Sequence, residues 1–275
     1  MFSREKLAHD FRRLVDPGDV VMLHASARAV GEVLGGPDQI HLALKDALTA
    51  DGTLMMYLGC PSYYDDVGRG FLSPEQEAVV IEGHPPFDAK TARAARSHGI
   101  VAEFFRSYPG TLVNEHVARF GVWGRHAEYL ISEQPWDYAL GRGSALERFV
   151  GLNGKVMLLG CDHDSVTLLH YVEHVAAIPG KRVARFKVPL LENGRRVWRD
   201  VEEFDSSGSG VHPNHPEDLF LQILDAYLER TNNRGSKVGN ADTFVIPAQG
   251  LVQFAEPVML AVAADATAAE RITEL

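Results

Sequence analysis

Twelve histidines and thirty-seven acidic residues are spread along the 275-residue chain, and one stretch gathers them in a form that could do chemistry. Leu158-Leu159-Gly160-Cys161-Asp162-His163-Asp164-Ser165-Val166-Thr167-Leu168-Leu169-His170-Tyr171-Val172-Glu173-His174 reads as a buried strand, a polar turn and a helix. Open α/β sheets place ligands at the carboxyl ends of such strands. On a helix, His163, Thr167, His170 and His174 recur at intervals of three or four residues and share roughly one face, a polar line without packing value. A free imidazole titrates near pH ~6.5, which suits a general base at neutral pH. His170-Tyr171-Val172-Glu173-His174 also spells H-x-x-E-H, a zinc-hydrolase pattern in which two histidines hold the metal and the glutamate is the base. That alternative requires a third ligand from downstream, and the sequence singles none out.

Two further segments carry polar groups in suggestive places. In Val20-Val21-Met22-Leu23-His24-Ala25-Ser26-Ala27-Arg28-Ala29-Val30-Gly31, a strand delivers His24, Ser26 and Arg28 into a glycine-containing turn ahead of a helix. Backbone N–H groups, a helix start and a guanidinium can together hold a phosphate there. Later, Gly83-His84-Pro85-Pro86-Phe87-Asp88 precedes Gly99-Ile100-Val101-Ala102-Glu103-Phe104-Phe105-Arg106-Ser107-Tyr108-Pro109-Gly110, which leads to Asn114-Glu115-His116. Glu103, set among apolar neighbours, is either an exposed helix-dipole partner or a buried group paired with a histidine.

The elements that must position these residues follow from periodicity. Helices are expected over Phe2–Leu14, from Asp38 to Leu48, over Ile100–Tyr108, His126–Ile131, Ser165–Ala177 and Pro216–Arg230. Short β-branched and apolar runs give strands at Asp19–His24, Thr53–Tyr57, Val117–Trp123 and Lys155–Gly160. Strand, helix, strand at this spacing implies a parallel sheet with crossover helices. Arg182–Leu191 and Arg195–Phe204 form a hairpin turned at Glu192-Asn193-Gly194. Residues 59–98 and 204–216 read as long loops on the substrate side, and Ala261–Leu275 as an Ala-rich amphipathic helix or tail. No boundary divides the chain, so residues 1–275 are expected to form a single domain.

Composition narrows the function. Apolar residues make up 45% and charged residues 23%, as in a soluble globular protein. No run approaches the ~18 apolar residues of a membrane span. The opening Met1-Phe2-Ser3-Arg4-Glu5-Lys6 lacks a signal-peptide core, so a cytoplasmic protein is expected. Cys60 and Cys161 fit free thiols in a reducing compartment. Thirty-seven acids against 27 bases give a net charge of −10, which argues against nucleic acid as a partner and suits a cationic ligand.

Taken together, the segments resemble the aminoglycoside 3-N-acetyltransferase family (antibiotic N-acetyltransferases) from about residue 3 to residue 255. The resemblance is carried by H-x-S-x-R-x-V-G at His24–Gly31, by Phe87-Asp88, by Glu103 ahead of F-x-R-x-x-P-G, and above all by G-x-x-H-D-x-x-T-x-L-H-x-x-E at Gly160–Glu173. Pro189-Leu190-Leu191, Arg196-Val197-Trp198, Phe204-Asp205-Ser206 and Lys237-Val238-Gly239 point to its gentamicin-modifying branch. The chain departs from the family pattern at His116-Val117, where His-Pro is usual, at Gly143-Ser144-Ala145, where Ser-Pro is usual, and at His174, which is extra.

The resemblance implies a three-layer α/β/α arrangement around a mostly parallel sheet, distinct from the common N-acetyltransferase (GNAT) fold. It implies acetyl-CoA along His24, Ala25, Ser26, Arg28, Ala29, Val30 and Gly31, with Thr167 near the thioester. It implies His170 as general base oriented by Glu103, acting on an amine in a direct ternary complex without metal. The acidic Asp65, Asp66, Asp88, Asp162, Asp164 and Asp205, together with His116 and Glu173, are the candidate contacts of a polycationic aminoglycoside. An N-acetyltransferase for a different amine is the nearest alternative, the zinc hydrolase of His170, Glu173 and His174 a more distant one. The protein is expected to be a monomer or homodimer, and no membrane partner is expected.

Overall fold

The computed structural model describes residues 1–62, 64–207 and 210–274. In chain order the elements are α1 (Arg4–Phe11), β1 (Val20–Ala25), α2 (Ala27–Val30), α3 (Asp38–Leu48), β2 (Thr53–Tyr57), α4 (Pro74–Gly83), α5 (Gly99–Ser107), β3 (Leu112–Val113), β4 (Phe120–Gly124) and α6 (Ala127–Leu130). They continue with α7 (Ala145–Gly151), β5 (Lys155–Leu159), α8 (Leu168–Val175), β6 (Val183–Glu192), β7 (Arg195–Phe204), α9 (Leu219–Arg230), β8 (Ser236–Val238), β9 (Ala241–Pro247) and α10 (Ala248–Ala264).

One sheet runs in the order β3-β4-β2-β1-β5-β9-β8. The central β2, β1 and β5 pair in parallel, while β4 and β9 run against their neighbours. Five of these seven strands therefore point one way (β1, β2, β3, β5, β8) and two are reversed. Alternation along β1 builds the layers. Val20 and Met22 face a core shared with Leu146, Phe149, Leu169, Val172 and Met259, on the side of α6 to α10. Val21 and Leu23 face the opposite core, with Leu7, Phe11, Leu44 and Phe105 of α1, α3 and α5. The expected α/β layering and mostly parallel sheet are thus present.

β6 and β7 form a separate two-stranded sheet, registered from Val183–Phe204 to Glu192–Arg195. Asn193 and Gly194, both at positive φ (51° and 76°), make the tight turn. A small core of Tyr64, Val188, Leu190 and Val201 fastens this hairpin to the 59–98 excursion. That excursion is more regular than expected, because it contains α4. Ser73 and Gln76 form a reciprocal capping box with Pro74 in the first turn, yet α4 buries no side chain. A helix without an apolar face has no periodicity to detect.

Two other departures have clear causes. β9 and α10 were not anticipated: β9 is an antiparallel neighbour of β5, and α10 is apolar nearly all round, so neither shows a simple alternation. The expected helix from Ser165 begins only at Leu168, after a short 3-10 turn at His163–Ser165. His163 therefore does not share a helix face with His170. Its Nδ1 meets Asp225 of α9 at 2.5 Å instead, with its ring edge-on to Phe244 at 5.0 Å.

Candidate active site

The carboxyl ends of β1, β2 and β5 open into a cavity of about 1120 Å³. This exceeds the roughly 300–1,000 Å³ typical of a site for one small ligand. His24, Ala25 and Ser26 form its floor, and Gly160 lets α2 approach β5 there: a Cβ on Gly160 would lie 2.2 Å from that of Ala29. The excursion supplies Asp65, Arg69, Arg96 and His98, and the hairpin supplies Phe186, Glu203, Phe204 and Asp205. The turn before α8 and the helix itself contribute Asp164, Thr167, His170 and His174.

α8 is amphipathic in the required sense. Leu168, Leu169, Tyr171 and Val172 are buried, which turns His170 and His174 toward the cavity. His170 Nδ1–H donates to Glu173 Oε2 at 2.8 Å; the imidazole is 33% exposed and the carboxylate 1%. Phe220 packs edge-on against the ring at 4.9 Å. With Nδ1 committed as donor, Nε2 carries the lone pair, the tautomer a base needs. Beyond the helix, Lys181 Nζ closes its C-terminus, donating to the carbonyls of Glu173, His174 and Ala176 at 2.9, 2.8 and 2.9 Å.

Glu103 does not orient His170. It accepts from Arg106 through both oxygens (2.8 and 2.7 Å), from Arg93 at 2.7 Å and from the Ala94 amide at 2.8 Å. Burial alone would raise its carboxyl; the donors from Arg106, Ala94 and Arg93 outweigh it and hold the group at about 2. Two guanidiniums on a carboxylate are a stronger match than a neutral imidazole. The acidic partner of the imidazole comes instead from three residues along its own helix, a spacing visible in the sequence. For the same reason Glu173 is corrected as a substrate contact, because its buried carboxylate is turned inward.

The remaining expected residues divide. Asp65, Asp164 and Asp205 line the cavity, as do His24, Ala25, Ser26 and Thr167. Thr167 makes no capping bond to α8. The Nε2 atom of His24 is buried without a protein partner at the floor. Burial, with His98 adding to it, lowers this imidazole to about 4, so it stays neutral. Ala29, Val30 and Gly31 lie outside the lining, with Val30 fully buried beneath α2 and Gly31 packed against Asn240. Arg28 is solvent-exposed and also outside it, whereas Arg96, which sequence reasoning missed, is inside.

Asp88 turns onto its own loop, accepting from the Lys90 amide at 2.9 Å and Thr91 Oγ1 at 3.1 Å. His116 is buried against Trp136, with ring centroids 4.3 Å apart, and burial followed by the charge of Arg199 lowers it to about 4. Neither faces the cavity. His174 uses both ring nitrogens: Nδ1 donates to the His170 carbonyl at 2.6 Å and Nε2 to Glu203. The two rings of the H-x-x-E-H pattern therefore do not converge as metal ligands would.

The polar groups that could hold a coenzyme and a thioester are the strand-end backbone near Ser26 and the orphaned His24 nitrogen at the floor, with Arg96 of the excursion and the Thr167 hydroxyl before α8. The four acids of the lining, Asp65, Asp164, Glu203 and Asp205, suit cationic groups. No helix among the described residues is long and apolar enough to cross a membrane.

Comparison with known proteins gives the family and the fold. Residues 22–260 match the family described as aminoglycoside 3-N-acetyltransferase. The chain is 41% identical over 240 residues to an aminoglycoside N(3)-acetyltransferase III of Pseudomonas aeruginosa, covering 86% of each chain. It is 35% identical to one from Acinetobacter baumannii, over 92% of this chain and 90% of that protein. Among solved structures, AAC-IIIb in binary complex with CoASH superposes with a TM-score of 0.86 at 36% identity, covering 94% and 96% of the two chains. Sisomicin-bound AAC-VIa has a TM-score of 0.86 at 32% identity, covering 94% and 98%.

Proposed function

The chain belongs to the aminoglycoside 3-N-acetyltransferase family, and from that premise we propose that it transfers the acetyl group of acetyl-CoA to the 3-amino group of a 2-deoxystreptamine aminoglycoside. The observation that carries the reading is the meeting of His170, held by Glu173, with four acids and the strand-end backbone in the lining of one cavity. A relative is solved with CoASH and another with sisomicin, which supports a site that takes both kinds of molecule.

The chemistry follows from the atoms. His170 Nε2 removes a proton from the acceptor amine as its nitrogen forms a bond to the thioester carbonyl. The buried Glu173 carboxylate stabilises the imidazolium that results and keeps Nδ1 protonated throughout, the division of labour of a hydrolytic triad with the substrate amine as nucleophile. Thr167 donates its hydroxyl to the tetrahedral oxyanion. Collapse breaks the C–S bond, and the departing thiolate takes the proton from His170. Acetyl-CoA supplies the acyl group and leaves as the free thiol.

No acyl-enzyme is required. The two thiols in the cavity wall are poor nucleophiles: burial, followed by Asp162, pushes Cys161 up to about 11, and burial also raises Cys60. Thiol release from acetyl-CoA, measured with a panel of aminoglycosides, tests the proposal. Stoichiometric release accompanied by a 3-N-acetylated product is expected. Release with another amine and with none of the aminoglycosides would move the acceptor, and no release with any amine would sink the transferase reading.

A further inference from the structure

In a cavity suited to cations, Glu203 meets His174 of α8, and Asp205 is held by a guanidinium of the protein itself. Arg69, from the excursion, donates through Nη2 to Asp205 Oδ1 at 2.7 Å and to Ser207 Oγ at 3.1 Å, and through Nη1 to the Asp65 carbonyl at 3.3 Å. Its guanidinium lies 4.9 Å over the Phe71 ring. Asp205 Oδ1 also accepts from the Ser207 amide at 3.0 Å and hydroxyl at 2.5 Å. Both ionised side chains line the cavity, 17% and 24% exposed.

Building on the aminoglycoside reading above, we propose that Arg69 is a built-in competitor for the acceptor's ammonium group at Asp205, and so sets how tightly and which amines bind. The physical case is one of like replacing like. The guanidinium makes the same charge-assisted contact with the carboxylate that a substrate ammonium would make. The pair is mostly buried, 17% and 24% exposed, so an exchange that keeps the carboxylate paired avoids the cost of leaving a buried charge alone. An amine that reaches Asp205 without adjacent groups to replace the contacts with Ser207 and Asp65 loses to Arg69; one that brings several ammonium groups wins. Because Arg69 belongs to the excursion and Asp205 to the end of β7, a successful ligand also releases one of the ties between these two walls.

The test is calorimetric binding of sisomicin and gentamicin to the full chain, run beside the thiol-release assay. Arg69→Met is expected to lower Kd about tenfold, with KM falling in parallel. In an Asp205→Asn background the same substitution should change neither, because the contested carboxylate is gone. Arg69→Lys, which keeps the charge and loses the fork, should give a smaller gain and serves if the methionine variant does not fold. A Kd unchanged or raised in Arg69→Met or Arg69→Lys overturns the competitor, as does a gain that persists without Asp205. If the wild type turns over aminoglycosides while the variants fail in this way, only the competitor falls. Absence of both binding and thiol release in the wild type removes the acceptor reading, and the competitor with it.

Discussion

Two helices on opposite faces of the sheet carry the same local device, a histidine three residues from a carboxylate, with the burial reversed. On α8, His170 is 33% exposed in the cavity and its partner Glu173 is 1% exposed. On α3, His41 Nε2 lies 3.2 Å from Asp38 Oδ1, but here the imidazole is completely buried and the carboxylate 31% exposed. His41 is boxed in by Phe105 and Tyr108, at 5.5 and 5.0 Å, with the buried Lys45 ammonium about 5 Å from the Phe105, Tyr108 and Trp123 rings. Burial, followed by the charge of Lys45, lowers His41 to about 4 despite Asp38. A buried anion beside an open imidazole favours the imidazolium that proton transfer creates; a buried imidazole beside an open anion stays neutral. The identity of the buried partner, rather than the spacing, separates the two pairs.

The contrast can be broken most directly on α8. His170→Ala should reduce kcat by at least ~100-fold, the scale of a lost general base, and near-normal turnover in a folded variant would end its assignment. Glu173→Gln keeps an acceptor for Nδ1–H but removes the charge, and should cost about tenfold in kcat with KM little changed. An unaltered rate would show that the buried charge is not needed.

On α3 the expected effect is on stability and its pH dependence. His41 titrates near 4 when folded and at 6.5 in its ordinary state, so between these values the unfolded chain binds more protons and stability falls as pH drops from 6.5 to 4. His41→Leu should flatten that part of the Tm–pH curve and leave turnover at neutral pH unchanged. A catalytic loss like that of His170→Ala would dissolve the distinction between the two helices.

Glu103→Gln should likewise leave the rate nearly intact. Glu103 is held at about 2 against an ordinary 4.5, so its stabilisation is full above pH 4.5 and disappears as pH falls through 2. The variant should have a lower Tm than wild type at pH 7, a difference that closes on acidification, with kcat close to normal. A large fall in kcat would restore Glu103 as the partner of His170 during turnover.

Much of this architecture was legible in the chain. β1, β2, β5 and the hairpin were readable because short β-branched runs and Asn193-Gly194 are local signals. α8 was readable as the carrier of His170, although its start lay three residues later than expected because Val166 and Thr167 stay outside the helix. What could not be read was which acid meets which base. The resemblance names Glu103 for His170, but Arg93 and Arg106 commit that carboxylate elsewhere and Glu173 takes its place. Glu203 and Arg69 reach the cavity from elements distant in sequence, so no spacing could announce them. His41 and Lys45 were hidden for another reason: an amphipathic reading of α3 counts Ile40, Leu44 and Leu48 and treats polar residues between them as surface.

The hairpin has its own two-stranded sheet, and its middle rests on a miniature core of four buried side chains. Substitution of Phe186 on its cavity side therefore propagates little strain into the layers that hold α8, whereas Glu203 is tied to α8 through His174 Nε2. The face that Phe186 presents to the cavity can thus vary while the sheet and α8 keep His170 and Glu173 in place.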